Sequence, residues 1–499
     1  MQNKTAFPLK VLSVLFLFLL VSCASVTPTP VVVPTVTPLP PATLAPLSTN
    51  TPPPTPTPVI IPAPARAQYT INATVDYDAH TVAVDETIEY PNHTGNQLNT
   101  LALAVEPNLW TGGFSLTGIS IDGTPTTTYT LTGQRLDIAL SSFVLPEHIV
   151  KINIQYTLAL PFAEQEDPNI ARPSIYGYTA RQLNLVNWYP FVVPNINGEW
   201  ILHEPWFYGE HLVYDSADYV VDLKFTDPTT APIVAASGAP EALGDSTRYT
   251  IRSARAFVIA ASREFDVAST QVGDVTVSSY YFPLSKIAGQ AVLKASAEAI
   301  EIFSQRFGPY PHKTLSIVMA DFKDSMEFSA LYYHSPLYYE QYDATPRSYL
   351  ISIGVHETAH QWWFEQIAND QALQPWLDES MATYSERIYY ENFHPEVLTE
   401  WWWAYRVDFF NPQGFIDIPI YDAKGFEPYR VTVYLRGAHF FEELRARIGD
   451  EAFFAFIKDY VVQGQDKIVT ADDFFSILAQ HTKTDYSDIV RQYFRNVYK

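Results

Sequence analysis

The hydrophobic period changes once along this chain of 499 residues, and that change constrains the fold more than any other feature. From Tyr69 to about Phe265 apolar and polar residues alternate, as in Tyr69-Thr70-Ile71-Asn72-Ala73-Thr74-Val75. The same alternation recurs over 81–90, 150–158, 219–225 and 249–260. A period of two, broken by Gly, Pro, Asn and Asp, belongs to short strands with one buried face, so it predicts antiparallel sheet in a sandwich or curved saddle. After about Val272 the period lengthens. It predicts a helix over 287–307, a strand over 314–321, and helices over 348–368, 377–392, 431–448, 451–462 and 472–481. The expected fold is multidomain: an all-β domain over 69–270, then an α+β, mostly helical domain over 271–499. Within the first, Trp188, Tyr189, Trp200, Trp206 and Phe207 either line a ligand groove or fill the β core.

Ahead of these domains stand two segments of another kind. Lys4 and Lys10 flank the start of an apolar run over 11–21 that is too short to span a bilayer. It ends at Cys23, the single cysteine of the chain. The Leu20-Val21-Ser22-Cys23 sequence resembles the bacterial lipoprotein processing box. That resemblance implies a signal peptide over 1–22, lipidation of Cys23 and export to the outer face of a cell membrane. Residues 23–68 are rich in Pro and Thr, as in Thr51-Pro52-Pro53-Pro54-Thr55-Pro56. Such a segment favours polyproline II, and at about 3.1 Å per residue it reaches about 140 Å when fully extended. The expected order is lipid, stalk, folded body.

Composition removes several functions. With 54 acidic and 31 basic side chains the formal charge is −23, which is opposite to the cationic footprint a nucleic-acid partner needs. One cysteine excludes an intrachain disulfide, a cysteine-based zinc site and an iron–sulfur cluster.

The chemistry concentrates in His356-Glu357-Thr358-Ala359-His360. Histidines at i and i+4 share a helical face one turn apart, so both imidazoles can bind one tetrahedral zinc. The glutamate between them can take a proton from water at the same metal. A catalytic zinc needs a third protein ligand, and Glu379 can supply it if the next helix folds back beside the first. The blander alternative is a pair of satisfied histidines on a core helix.

His356-Glu357-Thr358-Ala359-His360-Gln361-Trp362-Trp363, with Trp376-Leu377-Asp378-Glu379-Ser380 downstream, resembles the aminopeptidase N family of gluzincin metallopeptidases. The resemblance covers about residues 69 to 499 and implies a β-saddle domain followed by a thermolysin-like catalytic domain. It implies a short form without the large helical C-terminal domain of many members. It makes His356, His360 and Glu379 the ligands of one zinc ion and Glu357 the general base. The family's V-Y-x-K-G-A stretch is matched by Val433-Tyr434-Leu435-Arg436-Gly437-Ala438, so Tyr434 stabilises the oxyanion, with Tyr429 as the substitute. The family's G-x-M-E-N strand is matched by Ser325-Met326-Glu327-Phe328, where Glu327 anchors the substrate amine although the glycine and asparagine are replaced. The acid that the family often adds from its β domain has no match near Thr179-Ala180-Arg181. Ser380 replaces a family glycine, a change expected to be neutral. Glu386, two turns after Glu379, either orients one histidine or is a solvated helix residue.

The resulting expectation is a zinc metalloprotease at the cell surface, acting on peptides, most simply an aminopeptidase. A zinc endopeptidase is the alternative within enzymes. A non-catalytic binding module that retains the fold is the alternative outside them.

Overall fold

The computed structural model describes residues 66–163, 171 and 175–498; Cys23, the expected signal peptide and nearly all of the Pro/Thr segment lie outside the described residues. Among the described residues no helix is long and apolar enough to cross a membrane.

The alternating segments form sheet. The largest sheet runs Ala239–Leu243, Ser246–Ala254, Ala217–Phe225, Ala67–Asp76, Thr81–Pro91, Ile149–Ala159, Phe114–Ile121 and Thr124–Pro125. Along Ala67–Asp76 every second side chain is buried, the outcome the period of two requires. One pairing departs from the antiparallel expectation: Ala67–Asp76 runs parallel to Ala217–Phe225, with Ile71 opposite Val221. Two four-stranded sheets close the domain, and Ile71, Ile88, Leu101, Ile138, Ile152 and Trp188 meet in its core. The aromatic cluster divides between its two readings. Trp188 and Tyr189 are core residues, whereas Trp206 and Phe207 line a cavity.

The catalytic part begins slightly earlier than the change of period suggests. Asp266–Val272 pairs with Val275–Tyr281 in a five-stranded sheet that continues through Thr314–Met319 and Leu331–His334 to the edge strand Met326–Phe328. The sheet partners therefore put the boundary near residue 265 rather than 270, because Asp266–Val272 pairs forward with Val275–Tyr281 and with no strand of the β domain.

Helices Lys286–Arg306, Tyr349–Ala359 and Trp376–Phe393 pack together over this sheet. Gly354 permits a close approach of the first two helices, since a Cβ there would stand 2.6 Å from Val292 Cγ2. The helix expected over 348–368 ends at Ala359 instead. Phe364 adopts φ 125°, and the turn it makes brings Glu365 Oε1 to 2.6 Å from His312 Nε2 in the interior. A π-helix, Leu398–Val407, has no counterpart in the period analysis. Its buried residues are Trp401, Trp402, Arg406 and Val407, a spacing that a 3.6-residue template does not match.

Candidate active site

His356 lies in the last turn of Tyr349–Ala359, and His360 caps that helix. Trp376–Phe393 carries Glu379 in its first turn. The three side chains are buried and converge: His356 Nε2 is 3.1 Å from His360 Nε2 and 3.1 Å from Glu379 Oε2, while His360 Nε2 is 3.5 Å from Glu379 Oε2. A tetrahedral ion bonded at about 2.0–2.1 Å separates its ligands by about 3.3 Å. The donor set expected from the sequence does converge, and its spacing fits one zinc ion.

Each histidine is held from behind. His360 Nδ1 is 2.8 Å from the Trp363 carbonyl, and His356 Nδ1 is 3.3 Å from Glu386 Oε1. Glu386 is thus buried beside His356 and is not solvated. Arg406 Nη2 donates to its Oε1 at 2.8 Å and Trp402 Nε1 to its Oε2 at 3.0 Å, both from the π-helix. Burial acts to raise the Glu386 carboxyl, but Arg406 and His356 outweigh it and hold it below the ordinary range.

Glu357 is buried one residue from His356, and its Oε2 has no hydrogen-bond partner. Burial pushes its carboxyl up to about 8, against the pull of both histidines. Burial likewise acts to raise Glu379, but His360 and His356 outweigh it and hold the carboxyl at about 2. The Tyr434 hydroxyl donates to Glu379 Oε1 at 2.6 Å, and its ring stacks on His356 at 5.7 Å. Burial and the Glu379 charge keep that phenol protonated well above its ordinary range. Tyr429 packs edge-on against Tyr434 and has no hydrogen bond of its own, so Tyr434 is the tyrosine that reaches the group.

The crossing that delivers Tyr434 is tight. A π turn, Val431–Leu435, interrupts the helical run from Phe426–Arg430 to Arg436–Ile448. The Ser380 hydroxyl donates to the Val433 carbonyl in that turn at 2.6 Å. Ser380, expected to be a neutral replacement, thus ties the two helical runs together at this crossing. Gly437 lies against the same serine: a Cβ there would meet Ser380 Oγ at 2.0 Å and Ser380 Cβ at 2.4 Å.

Glu327 sits on the edge strand Met326–Phe328, buried, with Oε1 accepting from Gln371 Nε2 at 3.1 Å. Its facing carboxylate is Glu210, which sequence reasoning missed. Glu210 lines the same cavity, its Oε2 lacks a partner, and burial followed by Glu327 and Glu379 raises it well above the carboxylate range. Gly209 sets it there. At φ 72° a Cβ would stand 2.7 Å from Ile420 Cγ2, a close approach only glycine tolerates. The available signal was a Gly-Glu pair after the aromatic run Trp206-Phe207-Tyr208. The segment around Thr179 does other work: Thr179 Oγ1 donates to Asp321 Oδ2 at 2.6 Å and Arg181 pairs with the same carboxylate, joining the β domain to the catalytic sheet.

These groups face a cavity of about 1090 Å³ between the β domain and the catalytic helices, into which the edge strand also opens. Residues 292–493 match the model of the peptidase family M1 domain. The chain carries a peptidase family M1 domain. Among curated proteins it is similar to Aminopeptidase M1-A and Aminopeptidase M1-D of Oryza sativa subsp. japonica. The first match is 23% identical over 231 residues, covering 43% of this chain and 26% of that protein. The second is 23% identical over 206 residues, covering 38% and 24%. The match thus spans about a quarter of the length of those relatives. Among solved structures it resembles an M1 zinc metallopeptidase mutant of Deinococcus radiodurans bound to a Tyr-Ser-Ala substrate, with TM-score 0.61 and 18% identity, over 87% of this chain and 96% of that one. That likeness shows the two-domain fold. The M1 family is one of zinc metallopeptidases, so a single zinc ion is the cofactor this site accommodates.

Proposed function

We propose that the protein is a zinc aminopeptidase whose ligands are His356, His360 and Glu379. The observation that carries the exopeptidase reading is the pair Glu327, buried, and Glu210, half-buried with a shielded Oε2, beside the zinc ligands, which suits a free α-ammonium. Zinc bound there supplies a Lewis acid that acidifies water and polarises a carbonyl. Glu357 takes the proton from the attacking water and passes it to the departing amine, a role that suits a carboxyl raised toward neutrality. The Tyr434 O–H donates to the developing oxyanion, and losing such a donor lowers turnover by about 10²–10³. Met326–Phe328 is an edge strand whose open side suits an extended peptide added as a further strand.

The reading extends to location: Cys23, lipidated, holds the body at the outer face of a bacterial membrane through the Pro/Thr stalk, where the substrates are extracellular or periplasmic peptides.

A neutral peptide offered with a free or an acetylated N-terminus tests the catalytic reading, with Glu357→Ala as the blank. Stepwise loss of residues from the free peptide alone is expected. Internal cleavage of both would replace the aminopeptidase with an endopeptidase.

A further inference from the structure

One acid on the cavity wall has no part in the chemistry above. Glu106 opens the single turn Glu106–Leu109 that follows strand Leu98–Ala104 of the β domain. It lines the same cavity as Glu327 and Glu210, is 1% exposed, and both carboxyl oxygens lack a hydrogen-bond partner. A buried, unpartnered carboxyl is destabilising, and a glutamine or leucine would fill the space at less cost.

Its neighbours are committed elsewhere. His211 Nε2 is 3.6 Å from Glu106 Oε1, outside hydrogen-bond range, and contacts Gln134 Oε1 at 3.3 Å. Burial holds that imidazole neutral, down to about 3, so it is no counter-ion. Asn187 stands beside Glu106 without closing a well-formed hydrogen bond, and its Oδ1 already accepts from Tyr214 at 2.9 Å. Glu86 provides the contrast. It is equally buried and unpartnered, yet it lies on strand Thr81–Pro91 beside Tyr156 and does not line this cavity. Burial alone therefore does not mark Glu106; the cavity does.

We infer that Glu106 is the floor of the subsite for the substrate's first side chain and selects a basic one, lysine or arginine. This rests on the aminopeptidase reading. His211, 3.6 Å from Glu106 Oε1, directly follows Glu210, and both acids line the one cavity. Trp110 and Tyr176, paired at 5.0 Å, also line this cavity and offer rings along which an aliphatic stem can lie. With the cavity empty, burial pushes Glu106 up to about 8 and keeps its proton near neutrality. A bound ammonium or guanidinium supplies the missing partner, and the proton passes to solvent.

The test compares kcat/KM for arginine, lysine, leucine and phenylalanine amides in the zinc-loaded wild type, Glu106→Gln and Glu106→Leu, with Tm as the check on folding. Wild type is expected to favour the basic amides. Glu106→Gln should lower kcat/KM for arginine amide about 10²-fold, mainly through KM, and change leucine amide less than about threefold. Unchanged arginine hydrolysis in Glu106→Gln, or an equal loss on all four amides, would overturn the inference while leaving the aminopeptidase intact. Failure of wild type on every amide, with internal cleavage of acetylated peptides, would instead remove the reading on which it rests.

Discussion

Gly437→Ala is the smallest change that should separate Tyr434 from the zinc ligands. The new methyl would lie 2.0 Å from Ser380 Oγ and 2.4 Å from Ser380 Cβ, where real Cβ contacts stop near 3.0 Å. Helices Trp376–Phe393 and Arg436–Ile448 must therefore part by up to about 1 Å at this crossing, or the serine must rotate off Val433. Overpacking of this kind costs about 1–3 kcal/mol, equivalent in a folded body of this length to a Tm lower by about 1–3 °C. Tyr434 is one turn away, and a misplacement of about 1 Å at a reacting group costs about 10²-fold in turnover. Thermal unfolding and kcat on a free peptide would both be measured. The double variant Ser380→Gly/Gly437→Ala discriminates, because the nearest remaining serine atom is Cα at 3.2 Å. It should recover much of the lost Tm. A Gly437→Ala protein with wild-type Tm and kcat would refute the packing argument.

Further outcomes follow from other parts of the structure. Glu386→Gln or Arg406→Met should weaken zinc binding about 10–100-fold in chelator competition, since Glu386 backs His356 and Arg406 holds Glu386. His334 is buried, 3.0 Å from the Leu350 carbonyl, and burial lowers it to about 4. Below its unfolded value of about 6.5 the unfolded chain binds more protons than the folded one, so stability should fall as pH drops from about 6.5 to 4, by up to about 3 kcal/mol. His334→Gln should flatten that slope in denaturant titrations at several pH values, and an unchanged slope would assign it to other groups. Cys23→Ser should move the protein from the membrane fraction to the soluble one; unchanged fractionation would exclude a lipid anchor at that position.

What the sequence disclosed depended on how locally each feature is encoded. The strands of the β domain and helices Lys286–Arg306 and Asp450–Gly464 were legible because burial on one face repeats within a single segment. His356, Glu357 and His360 share one helix turn, and Glu379 opens the next long helix, so that group too was legible. Glu210 and Glu106 were not, because each acquires meaning only when the β domain closes over the catalytic helices. The π-helix with Trp402 and Arg406 escaped because its buried positions do not recur at 3.6 residues. The Ser380 contact was not legible because the carbonyl it serves belongs to Val433, 53 residues away.

In the proposed enzyme His356, His360 and Glu379 hold one zinc while Glu357 moves the proton. Metal content and peptide turnover measured together on wild type, Glu357→Ala and His360→Ala test it most directly. One zinc per chain is expected in wild type and Glu357→Ala, little in His360→Ala, and turnover in wild type alone. Wild-type turnover by Glu357→Ala, or a full zinc ion retained by His360→Ala, would contradict it.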